Sequence, residues 1–239
     1  LRHHPAWQQF ITRAKNLGKP LVMRMNLNQQ SCGSAWQTHR QLMASLSPIV
    51  DCGVHYLDVM CQMTDAEPVS VSAIGARLSD EISTSQYNYG QLQVRFSDGS
   101  VGWYEAGWGP MMSQTAFFIK DVIGPRGSVS IVAREAGGEG QSASVEAHTR
   151  TESLRVHASL LNEQGEFTRQ DEWIDTGDEP DHDALCVRQQ QFFARAIEEN
   201  LNLLPHLQQA IDSLAVVLAA DRAMREQRTV WLNGDRHQE

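Results

Sequence analysis

A helix that is apolar over most of its girth must be covered on nearly every side, and residues 47–63, SPIVDCGVHYLDVMCQM, spell one. Ser47 is a capping residue and Pro48 suits the first helical position, so the helix has a marked start. At roughly 100° per residue, Val50, Val54, Leu57 and Cys61 form one apolar stripe. Val59, Met60 and Met63 extend it. Asp51, His55, Asp58 and Gln62 fall on a single polar seam beside it. Such a helix belongs between packed layers, with its seam turned toward a cleft.

The seam carries chemistry-bearing groups. Asp51 lies in the first turn, where the positive end of the helix dipole favours a carboxylate. His55 follows one turn on, within reach of it. A carboxylate beside an imidazole fixes the tautomer and favours the protonated ring, as a proton-transfer group near neutral pH requires. The same spacing also occurs as a polar pair with no role in chemistry, and both readings stand at this point. Two ligands do not make a metal site and no third is marked, so no metal is expected.

The rest of the chain supplies the layers. Residues 5–17 read as a helix that begins at Pro5 and stops at Gly18. Residues 21–29 alternate as a strand, and residues 30–46 read as a loop with a short helix near Arg40 to Leu46. Residues 69–76 are strand-like. Gln91 to Trp108 is a hairpin that turns at Ser97-Asp98-Gly99-Ser100. Phe117 to Ile123 and Ser128 to Val132 form a second strand pair around Gly124-Pro125-Arg126-Gly127, and Gly137 to Gly140 is a loose turn. Ser144 to His148, Ser153 to Leu160 and Phe167 to Ile174 are further strands. Asp183 to Asn200 is helical. Pro205 opens another helix, in which Leu207, Ile211, Leu214 and Leu218 keep a helical period, and Thr229 to Leu232 is a closing strand. Segregated elements of this kind predict an α+β fold: a large, mostly antiparallel, open-faced sheet with helices packed on one face, in a single domain over residues 1–239.

Composition removes several function classes. With 20 Lys and Arg against 29 Asp and Glu, the net charge is −9, which disfavours nucleic acid and anionic membrane as partners. No apolar run reaches the roughly 18 residues of a membrane span. Cys32, Cys52, Cys61 and Cys186 form no C-x-x-C pair, and Cys52 and Cys61 fall on opposite helix faces, so reduced thiols in a cytoplasmic protein are expected. His3 and His4 read as surface or pocket-rim residues. His148, His157, His182, His206 and His237 read as solvated, and Trp103, Tyr104 and Trp108 as sheet packing or an interface.

Taken in order, these pieces resemble the C-terminal domain of the Gfo/Idh/MocA oxidoreductases, the family of glucose–fructose oxidoreductase and inositol dehydrogenase. The most specific is Asp51-Cys52-Gly53-Val54-His55-Tyr56-Leu57-Asp58, similar to the family's D-x-x-x-H-x-x-D helix. Arg2 to Pro5, Gly18 to Val22, Glu67 to Val71, Phe96 to Gly102, Gly124 to Ser128 and the tail Phe193 to Leu232 accompany it. The resemblance implies a fold like the C-terminal domain of glyceraldehyde-3-phosphate dehydrogenase. It also implies an NAD(P)-dependent dehydrogenase acting on a sugar, polyol or related hydroxy compound. His55 would be the acid/base and Asp51 its partner; Arg2, Asn28 and Gln29 would face the substrate. A homodimer or higher oligomer would form through the sheet. The family's G-x-G-x-x-G and E-K-P motifs do not occur here, and the chain starts at Leu1. It therefore reads as a fragment without the nucleotide-binding half, expected by itself to bind neither NAD nor NADP and to be inactive. A catalytically silent binding or assembly module with the same fold is the alternative.

Overall fold

Alternation along the first long strand sets the two faces of the sheet. In β1 (Val22–Gln30) Met23, Met25 and Leu27 are buried, whereas Val22 and Arg24 are exposed on the opposite face. The computed structural model describes residues 1–113, 119–132, 142 and 148–232. The remaining strands are β2 (Pro68–Ala76), β3 (Tyr89–Phe96), β4 (Val101–Gly109), β5 (Lys120–Gly124), β6 (Gly127–Ile131), β7 (Ser153–Ala158), β8 (Glu172–Asp175) and β9 (Val230–Trp231). They form one nine-stranded sheet in the order β8-β7-β6-β5-β1-β4-β3-β2-β9. The pair β1–β4 is parallel and the other pairs are antiparallel, as the α+β reading expects apart from that central pair. The long excursion between β1 and β4 returns the chain in the same direction.

Helices α1 (Pro5–Lys15), α3 (Pro48–Asp51), α4 (Gly53–Thr64) and α6 (Leu204–Glu226) cover the apolar face. Trp7 of α1 meets the Tyr56 ring of α4 edge-on at 5.9 Å, and Tyr56 stacks on Tyr104 of β4 at 5.1 Å. Gly53 brings α4 down onto that ring, since a Cβ there would lie 3.0 Å from Tyr104 Cε1. Two further helices are α2 (Gly33–Leu42), against β4, and α5 (His182–Glu198), whose Phe192 ring stacks on His206 of α6 at 5.9 Å.

Several expectations change. The helix read over residues 47–63 is two, α3 and α4, interrupted at Cys52. Ser47 does cap it, accepting from the Val50 N–H at 3.1 Å, but the His55 N–H donates to the Cys52 carbonyl at 3.2 Å, one residue short of the α-helical partner. Helix α2 lies earlier than the short helix expected near Arg40 to Leu46. Its buried Trp36 and His39 are three apart and pack with Met43 toward Trp108, a pattern hidden among polar neighbours. The stripe Leu207, Ile211, Leu214 and Leu218 is helical but exposed. Helix α6 instead buries Ser213, Val216, Val217, Ala219, Ala220 and Ala223, whose small size allows close approach to α4 and β2. In α5 only Ala196 is buried, while Val187, Phe193 and Ile197 stay exposed. Phe117 and Phe118, the turn at 137–140, the strand proposed over 144–147 and His237 lie outside the described residues.

The first residue of β6 tolerates no side chain. Gly127 has φ +138°, and a Cβ would sit 1.9 Å from the backbone oxygen of His157. Gly127→Ala is expected to cost about 2–3 kcal/mol and to lower Tm by roughly 5–10 °C. A thermal melt matching the native protein would refute this reading of Gly127.

One charge lies in the core. Lys120 is 2 % exposed, donates from Nζ to the Asn26 carbonyl at 2.6 Å and lies 5.1 Å over the Tyr56 ring. Burial lowers its pKa from 10.5 to about 7. Between those values the unfolded chain binds more protons than the folded one, so this group's contribution to stability rises with pH across that window. Lys120→Met should therefore be the more stable form at neutral pH, with an advantage that shrinks as pH rises toward 10.5. Denaturant titrations of both proteins across that range provide the check, and a gap that stays constant with pH would count against it.

Candidate active site

The polar seam of α3 and α4 opens on a cavity of about 590 Å³. Its walls come from the chain's first residues, the end of β1, α2, the α3–α4 junction, His148-Thr149 and the start of α5. Asp51, His55 and Gln29 all line it, as do His39 and His148. The cavity lies on the helix-covered side of the sheet, where β1 and β4 run parallel and place Gln29 opposite Trp108.

His55 is exposed toward the cavity yet enclosed by its walls. That enclosure pushes its pKa below the ordinary 6.5, while Asp51 and Asp58 pull the other way. The expectation that Asp51 would hold the ring protonated is thus reversed: the carboxylate acts in the expected sense, but desolvation outweighs it. No hydrogen bond or ion pair joins the two side chains among the described residues. Asp51 Oδ2 instead accepts from the Cys52 thiol at 3.3 Å. Burial, then the charge of Asp51, raises the Cys52 pKa well above its usual value, which keeps that thiol protonated.

The other expected site residues separate. Gln29 faces the cavity: its Oε1 accepts from Trp108 Nε1 at 2.6 Å and its Nε2 lies 2.9 Å from His148 Nε2. Asn28, its neighbour in the strand, projects to the opposite face, where its Nδ2 donates to Glu105 Oε1 at 2.6 Å. One strand cannot send both side chains to the same ligand, so the pairing of Asn28 with Gln29 in the cleft is corrected. Arg2 does not line the larger cavity. Its guanidinium grips both carboxylate oxygens of Asp58, with Nε 2.7 Å from Oδ2, and Nη1 reaches Gln209 at 2.9 Å. Arg2 and Asp58 line a smaller adjoining cavity of about 350 Å³ that shares His55 with the larger one.

Sequence reasoning missed part of this wall. His39, given no role, stacks on Trp108 at 4.5 Å and 10° and is bonded through Nδ1 to Ser31 Oγ at 2.9 Å. His148 and His182, read as solvated, both line the cavity. Burial takes the His148 pKa down to about 4. The alternation of β1 and β4 could have placed Gln29 and Trp108 on one face. No local signal marks His148, which reaches the cleft through tertiary packing alone. Among the described residues no group of His, Cys, Asp and Glu could hold a metal ion, and no helix is long and apolar enough to cross a membrane.

The likeness to known proteins follows the fold. A family model described as the GFO/IDH/MocA C-terminal domain matches residues 9–130, which include β1, the α3–α4 seam and the β3–β4 hairpin. Among solved structures, an aldose-aldose oxidoreductase from Caulobacter crescentus complexed with glycerol is similar at TM-score 0.68 and 19 % identity, over 96 % of this chain and 61 % of that one. A myo-inositol dehydrogenase from Corynebacterium glutamicum gives TM-score 0.61 and 18 % identity, over 97 % and 62 %. An oxidoreductase from Agrobacterium radiobacter in complex with NAD+, L-tartaric acid and magnesium gives 0.62 and 13 %, over 96 % and 63 %. At these identities the likeness is one of fold, and this chain spans less than two thirds of each of those proteins. No curated protein matches the sequence. With the family model covering half of its length, the chain belongs to the GFO/IDH/MocA family, whose C-terminal domain it carries.

Proposed function

We propose that the chain is the substrate-binding half of an NAD(P)-dependent dehydrogenase for a sugar, polyol or related hydroxy compound, with His55 as its acid/base. The observation that carries this reading is His55 itself: an imidazole held neutral by enclosure, facing a cavity large enough for a small polyhydroxylated molecule. A neutral ring can take the proton of a substrate hydroxyl as the carbon beneath it is oxidised, and return it in the reverse direction. Asp51, on the same wall, stabilises the imidazolium that forms, since its charge raises the His55 pKa. Gln29, held in orientation by Trp108, offers its amide to substrate or to neighbouring side chains. Arg2, tied to Asp58, anchors the chain's first residues against α4 and α6 and so supports the wall.

The nicotinamide ring of NAD or NADP supplies the hydride acceptor when bound. The residues lining the larger cavity suit the substrate end of such a reaction. They include no lysine or arginine, and the described chain has no glycine-rich strand-to-helix turn to cradle a pyrophosphate. The exposed face of the sheet, with Val22, Val101 and Ile123 uncovered, is the surface we propose for contact with a second copy.

In the complete protein, assayed with NAD and NADP over a panel of sugars and polyols, His55→Asn should lower kcat by about 10²–10⁴-fold with an unchanged melting profile. Oxidation requires the neutral ring, so the rate should fall as pH drops through the His55 pKa, and this acid limb should lie below 6.5. It should be missing from the variant. Near-native turnover by His55→Asn would remove His55 as the acid/base, whereas no turnover by the native protein would favour a binding module in which the seam is structural.

A further inference from the structure

We propose that His148 is a fixed hydrogen-bond donor of the cleft, its Nδ1–H held ready for an uncharged hydroxyl or carbonyl oxygen by a relay running from Trp108 through Gln29. The ligand class rests on the dehydrogenase reading; the relay does not.

The direction of the relay follows from its first member. An indole N–H can only donate, so the group 2.6 Å from Trp108 Nε1 must be the oxygen of the Gln29 amide. Trp108 is itself fixed, being buried and stacked against His39. The amide nitrogen of Gln29 therefore points the other way and presents its N–H to His148 Nε2 at 2.9 Å. A proton on that ring nitrogen would set two donors against each other, so Nε2 carries the lone pair. The Ser142 carbonyl, 3.0 Å from the same nitrogen, competes by favouring the opposite tautomer. Gln29 prevails because its amide cannot turn over without leaving the indole unpaired in a buried site.

The ring is neutral as well as oriented. Enclosure disfavours its charged form, as do Lys120 and His39 nearby, against the pull of Asp51 and the Ser142 carbonyl. A neutral ring with an unprotonated Nε2 carries its proton on Nδ1. That atom has no hydrogen-bond partner among the described residues. His148 lines the same cavity as His55, and the Tyr56 hydroxyl donates to its carbonyl at 3.2 Å, fixing the backbone that carries it. A neutral donor that cannot reorient suits an uncharged oxygen and gives little to a phosphate or carboxylate.

Two-bond proton–nitrogen spectra of the histidine-labelled chain test this, with His148 assigned by the loss of its signals in His148→Gln. His148 should show a pyrrole-type Nδ1 and a pyridine-type Nε2, and stay neutral through mildly acidic pH. Gln29→Leu should shift the ring toward the Nε2–H form, with the Ser142 bond now unopposed. A native Nε2–H tautomer, or one unmoved by that substitution, overturns the relay. Addition of myo-inositol or D-glucose should then shift the His148 Nδ1 signal together with those of His55. If His55 responds and His148 does not, the donor role falls while the dehydrogenase reading stands. If neither compound moves any cleft histidine, both fall.

Discussion

The stacking of Tyr56 on Tyr104 is the contact on which the site depends. It seats α4 on the parallel pair β1–β4, and Gly53 permits the approach by placing no Cβ against the ring. Trp7 closes the other side of Tyr56 and Lys120 lies over its face, so one ring joins α1, α4 and two strands. Buried aromatic contacts of this kind hold geometry as well as supplying apolar area. With α4 fixed, His55 faces the cavity from one wall while β1 and β4 hold Gln29 and Trp108 side by side on another.

Electrostatics inside the cleft follow burial more than pairing. Asp51, one turn before His55, neither bonds nor pairs with it among the described residues, and enclosure sets the direction of the His55 pKa. The break at Cys52 explains the separation: with the His55 N–H turned to the Cys52 carbonyl, residues 51 and 55 do not follow one regular helix. Asp58, in the regular part of α4, does find a partner, and its pairing with Arg2 keeps that cation off the larger cavity's wall. His39, His55 and His148, whose charged forms burial disfavours, and the Asp51 carboxylate are left facing the cavity.

Much of the fold was legible because strands announce themselves by alternation. Leu92, Val94 and Phe96 of the β3–β4 hairpin, and Met23, Met25 and Leu27 of β1, bury the residues the pattern selects. The helices were legible in place but not always in orientation. In α6 the larger apolar residues point outward and the small ones inward, because close packing against α4 and β2 selects for size as well as hydrophobicity. The site divided along the same line. His55, Asp51 and Gln29 lie on elements whose periodicity is local, and they meet at the cavity. Asn28 was misplaced by ignoring the strand's own alternation, and reading His148 as the end of a strand gave no pointer to the cleft.

The missed residues alter the chemistry of the cleft as well as its outline. A lone acid/base on α4 would leave the substrate free to turn, because one contact fixes a point and not an orientation. Gln29, anchored by Trp108, and His148, anchored by Gln29, add a second wall whose direction is set by the fixed polarity of an indole N–H. Because β1 and β4 are parallel and in register at Gln29 and Trp108, Gln29 and its anchor stand on a hydrogen-bonded pair at the centre of the sheet. Under the proposed function, discrimination among hydroxy compounds would reside in the match between their oxygens and these donors, while His55 would set which hydroxyl can lose its proton.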